Sequence, residues 1–131
     1  MLINEDNYVD MAENAILELI KDSKDKKGKP ILIVTTSKIR NLLAMVSDIY
    51  NEVLKISGNK LSAEIVGNIN YMKIRFYYEA GREVNVKKLL ETAKVFKIIG
   101  QIEDSKENYI LFSRYMEALI AFRKFHGGKD E

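Results

Sequence analysis

The stretch LSAEIVGNINYMKIRFYYEAGR, residues 61–82, reads as one helix of about six turns. At ~100° per residue, Ile65, Ile69, Met72, Phe76 and Ala80 fall on one stripe, an ordinary core-facing one. A second stripe holds Asn68, Tyr71, Arg75, Tyr78 and Arg82. One apolar stripe is enough to join a core. The second must meet something else. Guanidinium groups interleaved with aromatic rings suit phosphates and bases. Alternatively, the tyrosines pack on a neighbouring helix and the arginines pair with carboxylates. Periodicity alone leaves both readings open.

The rest of the chain is read outward from this helix. With 131 residues, 47% apolar and 31% charged, the composition is that of a globular domain with a real core. A single helical domain over residues 1–131 is expected. One proline and seven glycines favour long helices over a turn-rich β-fold. Without cysteine there are no disulfides, thiolate metal sites or cysteine nucleophiles, which fits a reducing, cytoplasmic setting. The opening MLINEDNYVD is acidic, so no secretory leader is expected. No apolar run approaches the ~20 residues that cross a bilayer, so no membrane partner is expected. Net charge is only +2, but residues 35–82 hold seven Lys/Arg against four Asp/Glu. The basic excess therefore sits on the opening stretch and the helix before it.

In chain order, a first helix is expected from about Asp6 to Asp22, capped by Asp6 or Asn7, with Tyr8 or Val9, Ala12, Ile16, Leu19 and Ile20 facing inward. Residues 23–29 are a loop by composition, and the apolar run after Pro30 is an extended segment laid on the core. Thr35 caps a second helix that runs to about Ile56, with Val34 and Ile39 as a hydrophobic staple and Gly58 as the left-handed stop. Lys38 and Arg40 lie on opposite flanks of its first turn, where basic groups oppose the helix dipole. With first-turn amides beside them, that end can hold a phosphate. The third helix ends at Gly81. Asn85 caps a fourth, which runs to about Ile99 on the stripe Val86, Leu89, Leu90, Ala93, Phe96 and Ile99, with Lys87, Lys88, Lys94 and Lys97 solvated. Asp104 and Glu107 cap a fifth helix, from about Ser105 to His126, which is apolar nearly all round. Such a helix is either the centre of the bundle or part of a self-association surface. Arg123 falls on its apolar stripe, an odd place for a charge. The expected fold is therefore all-α, a compact bundle of about five helices.

No catalytic constellation emerges. His126 is the lone histidine, with no metal-ligand spacing around it, and the glycine-rich phosphate-binding motifs are absent. No cofactor, metal or enzymatic activity is expected. A helix-turn-helix reading fails because TTSKIRNLLAMVSDIY is too long and too apolar for a recognition helix.

Three segments together, VTTSKIRNLL, NINYMKIRFYYEAGR and LFSRYMEALIAFRKFHGGKD, resemble the small subunit of the type III-A CRISPR effector, the Csm complex. The likeness spans most of residues 34–130. It implies a non-catalytic, all-helical protein acting in antiviral defence. Copies would stack head to tail along the inner side of the complex, beside the other Csm subunits and the duplex of guide RNA and target RNA. Carried onto matching positions, the family's RNA-binding surface comprises Lys38, Arg40, Lys73, Arg75 and Arg82, with Arg123, Lys124 and Lys129. Contact with a duplex backbone needs cations along a groove rather than base readout. A duplex offers no splayed bases, so Tyr71 and Tyr78 are expected to pack rather than stack on RNA. The rival reading is a protein-only helical adaptor, with the basic residues serving as interface ion pairs.

Overall fold

A computed structural model of the chain describes residues 1–22 and 33–127. Six helices follow in order: α1 (Tyr8–Asp22), α2 (Thr36–Val53), α3 (Ala63–Arg82), α4 (Val84–Thr92), α5 (Val95–Ile102) and α6 (Lys106–His126). The expected class, all-α, is observed. Among the described residues the only β-type pairing is an isolated bridge between Lys60 and Ser105. The loop expected over residues 23–29, the start of the apolar run at Pro30 and the tail beyond Gly127 lie outside the described residues. The end of that run, Ile33 and Val34, is buried on the core.

α6 is the central element, because its apolar residues point to several sides at once. It packs on α1, α2 and α5. Tyr109, Leu111, Phe112, Tyr115, Met116 and Leu119 are all buried. Two of these carry hydroxyls that need partners in the core. Tyr109 donates to the Val46 carbonyl at 2.6 Å and Tyr115 to the Ala93 carbonyl at 2.9 Å. Burial raises the pKa of both phenols. The nearby Asp48 carboxylate raises Tyr109 further, and Tyr115 is pushed up to about 12.

The expected fourth helix is two helices, and the reason is phase. On a continuous helix at ~100° per residue, Val86, Leu89, Leu90 and Ala93 would lie about half a turn away from Val95, Ile98, Ile99 and Ile102. All eight are buried. The chain must therefore break between the two sets, and Lys94 supplies the break in the left-handed region at φ 57°. A second break follows at Glu103, φ 54°, before α6. A left-handed residue with a side chain costs about 1–2 kcal/mol, small beside the burial of four large aliphatic side chains at ~1.5–3 kcal/mol each. Gly100 lies within α5 rather than ending a helix, and α3 continues through Gly81 to Arg82.

The expected caps hold in part. Thr35 accepts from the Lys38 amide at 3.2 Å, with Val34 and Ile39 both buried beside it. α2 ends at Val53, short of Ile56. Gly58 adopts φ 78° in the following turn. α6 is capped by Ser105, which accepts from the Asn108 amide at 3.1 Å, and not by Asp104. The Asp104 carbonyl instead accepts from Leu61 N at 2.7 Å, and Asn59 Oδ1 accepts from Glu107 N at 2.8 Å. These bonds tie the entry of α3 to the entry of α6. At the amino end of α1, Asn4 Oδ1 accepts from the amides of Asp6 and Asn7, while Asn7 Oδ1 accepts from the Asn4 amide. α4 starts at Val84, with Glu83 rather than Asn85 at its cap position and no side-chain cap hydrogen bond.

The buried phenols fix an alkaline limit. Below pH 10 Tyr115 is neutral whether folded or unfolded; above it, the unfolded chain ionises while the fold holds the proton to about 12. Stability should therefore fall as pH rises through that window. Tyr115→Phe should cost ~1 kcal/mol at neutral pH and make the alkaline fall shallower, as measured by urea unfolding at a series of pH values.

Candidate nucleic-acid interface

The amino-terminal half of α2 runs beside the carboxy-terminal half of α3. The apolar stripes of both helices point inward: Ile39, Leu42, Val46 and Ile49 from one, Met72, Phe76 and Ala80 from the other. Their flanks therefore meet at the surface and form a groove of about 290 Å³. Lys38, Asn41, Arg75, Glu79 and Arg82 line it over a floor of Leu42, Met45 and Val86. Three of the eight expected RNA-binding residues, Lys38, Arg75 and Arg82, are thus brought together from two helices.

Each cation is held, but weakly. Lys38 Nζ lies 3.2 Å from a Glu83 carboxylate oxygen, with both side chains about 40% exposed. Arg82 pairs with Glu79 at 3.5 Å. Exposed pairs of this kind contribute roughly 0–1 kcal/mol and yield to a stronger anion. Arg75 has no carboxylate partner among the described residues. Instead Arg75 and Arg82 flank the Tyr78 ring, their Cζ atoms 6.0 and 5.6 Å from its centroid. Both guanidinium groups therefore lie within cation–π range of one exposed ring. A planar guanidinium can grip a phosphate with two parallel hydrogen bonds, whereas Arg82 and Glu79 stand 3.5 Å apart.

The remaining expected residues stand elsewhere. Lys73 is half-buried and roughly 160° around α3 from Arg75, at ~100° per residue. Arg40 is exposed on the opposite flank of α2 from Lys38. Lys124 is exposed at the end of α6. Lys129 lies outside the described residues. Arg123 is a correction. Only 1% exposed, it donates from Nε to the Val34 carbonyl at 2.7 Å and from a terminal nitrogen to the Gly127 carbonyl. It is an internal tie between the end of α6 and the segment entering α2, with no surface to offer RNA. The first-turn amides of α2 are also less free than expected: Thr35 takes the Lys38 amide, and Thr36 is buried.

The tyrosines are the second correction. Tyr71 and Tyr78 are 60% and 57% exposed, so neither packs in the core. The aromatic residue of α3 that meets a neighbour is Tyr77, stacked on Phe96 with ring centroids 3.9 Å apart. Asn41 and Glu79 in the groove, and Glu83 as the partner of Lys38, were not anticipated. Asn41 stands three residues after Lys38, and Glu79 four after Arg75; that helical spacing is the signal that could have found them. His126, expected to serve only its helix end, also reaches across to α1, with Nε2 2.7 Å from Glu13 Oε2. Among the described residues no cluster of His, Asp or Glu could hold a metal ion, and no helix is long and apolar enough to cross a membrane.

Fold and groove together define a small all-helical domain with a cationic cleft between two helices. Residues 14–129 match the family model Csm2 Type III-A. Three proteins called CRISPR system Cms protein Csm2 are similar over nearly the whole chain or most of it. That of Streptococcus thermophilus is 42% identical over 129 residues, 98% of either chain. That of Enterococcus italicus is 32% identical over 117 residues, 85% of this chain and 84% of its own. That of Mycobacterium tuberculosis is 31% identical over 131 residues, the full length of both. The chain belongs to the Csm2 type III-A family, the small subunit of the type III-A CRISPR complex.

Burial separates the two kinds of arginine experimentally. Arg123→Ala leaves the buried Val34 carbonyl without its donor and should destabilise the fold by ~1–3 kcal/mol. Arg75→Ala, at the surface, should stay within about 0.5 kcal/mol of wild type. Urea denaturation followed by circular dichroism measures both.

Proposed function

We propose that this chain is a non-catalytic subunit that lines the inner side of the type III-A complex and holds the guide RNA–target RNA duplex by its phosphates. Lys38, Arg75 and Arg82 make the contact. One observation carries the reading: Lys38, Arg75 and Arg82, remote in sequence, converge on one groove, with the two guanidinium groups beside the Tyr78 ring. A duplex in A-form exposes phosphates and ribose hydroxyls rather than readable base edges. Backbone contact by Lys and Arg therefore suits a subunit that must accept any guide sequence. Glu79 and Glu83 hold the cations extended until phosphates replace them. Contacts with the other Csm subunits, head-to-tail stacking of copies and a cytoplasmic setting belong to the same reading. It is narrower than the family pattern, since Arg40 and Lys73 lie outside the groove and a rod-like duplex cannot reach all these faces from one side.

The assembled complex is the sample that tests it. Arg75→Ala combined with Arg82→Ala should weaken RNA binding and lower the slope of log affinity against log salt by about 2, roughly one for each phosphate no longer neutralised. Arg40→Ala combined with Lys73→Ala should leave the slope unchanged. If filter binding over a salt series gives the wild-type slope for the first pair, the groove is structural. In that case the protein-only adaptor is the better description.

A further inference from the structure

The cleft between α2 and α3 continues past the groove. Beyond Met45 and Arg75, which line both parts, it opens into a second pocket of about 370 Å³. Here the charge changes sign. Asp48 and Glu52, four residues apart on α2, share the wall with Asn68 and Tyr71 of α3. Like charges at that spacing disfavour a helix. Among the described residues neither carboxylate forms an ion pair. Glu52 accepts from the Asn68 side-chain amide at 3.4 Å, and Arg75, the one cation of the pocket, turns to the Tyr78 ring instead. The remaining lining is apolar: Met45, with Ile49 and Met72 buried beneath. Tyr71 is 60% exposed beside it.

We propose that this pocket receives an arginine side chain from a neighbouring subunit of different sequence. Each part of the lining matches one part of that side chain. The methylene stem suits a floor of thioether and aliphatic groups. The fork of N–H donors can serve two carboxylates at once, where a lysine would meet them as a point charge. The planar head can stack on a tyrosine. RNA does not fit, because two carboxylates repel a phosphate. This chain's own arginines are a poor source: Arg123 is buried, Arg82 and Arg114 are paired, and Arg75 lines the pocket itself, which leaves Arg40. One cleft would thus sort its occupants by charge, phosphate at the Lys38 end and a partner's cation at the Asp48 end, with Arg75 between them. The assignment does not rest on the groove reading, since it uses carboxylates, floor and Tyr71, none of which is asked to hold RNA.

The assembled complex, immobilised through another subunit and washed at a series of salt concentrations, provides the test. Asp48→Asn combined with Glu52→Gln removes both charges at exposed positions and keeps side-chain size, so circular dichroism of the full chain should be unchanged. This variant should leave the complex at least about tenfold faster than wild type. Tyr71→Ala should also leave faster, and Arg40→Ala at the wild-type rate. Wild-type retention of the carboxamide variant overturns the proposal, as does loss of the Arg40→Ala variant, which would make a second copy the donor. Light-driven cross-linking from Tyr71→p-benzoylphenylalanine should join the chain to an arginine-containing segment of a different subunit. Capture of RNA, of a second copy or of no protein at all overturns it equally. The groove is judged separately, by the salt slope of Arg75→Ala with Arg82→Ala, so either reading can fail while the other stands.

Discussion

α6 is buried around more than half of its girth, leaving exposed the strip of Arg114, Glu117, Ala121 and Lys124, and that imposes a constraint on everything around it. Helices must cover it from several directions, so α1, α2 and α5 pack on it. Its two phenols must find acceptors, and they find them in the backbones of α2 and the α4–α5 joint. Its buried guanidinium must find oxygen, and it takes the Val34 carbonyl just before α2. Each buried polar group left unpaired would cost about 1–3 kcal/mol. The polar groups of α6 therefore set the register of its neighbours as firmly as its apolar ones set their proximity.

The groove inherits its rigidity from this arrangement. α2 is held along its length by α6 and at its entry by Arg123. α3 is tied to the entry of α6 through the Leu61–Asp104 and Glu107–Asn59 bonds. Neither helix can slide without disturbing the centre of the bundle. Lys38 and the pair Arg75 and Arg82 thus keep a fixed relation, although their own ion pairs are weak. A site built of exposed charges on buried supports suits a polyanion: the supports give geometry, and the charges remain free to exchange partners.

Much of the fold was legible because it follows from periodicity. The inward stripes of α2 and α3 were readable, as was the Thr35 cap, whereas α6 was legible only as apolar nearly all round, and its Phe125 is 80% exposed. The division into α4 and α5 was not read, since no proline or glycine marks it. The signal was a half-turn change of phase between two apolar sets, and Lys94 simply bears the strain that the change requires. The Ser105 cap was missed for a related reason: two acceptors, Asp104 and Ser105, stood side by side, and the demand of Leu61 for the Asp104 carbonyl decided between them.

For the site, the sequence by itself determined which side chains lie on the flank of each helix, because angular position around a helix depends only on residue spacing. It therefore separated Arg75 and Arg82 from the core stripe and gathered them with Tyr71 and Tyr78. Whether a flank faces water, a neighbour or the interior depends on where other helices cross it, and spacing carries no information about that. Tertiary structure alone decided that Lys38 joins the two arginines while Arg40 and Lys73 turn away. It also decided that the tyrosines are exposed and that Arg123 is enclosed. Charge and periodicity are local properties of the chain; exposure is a property of the packed bundle.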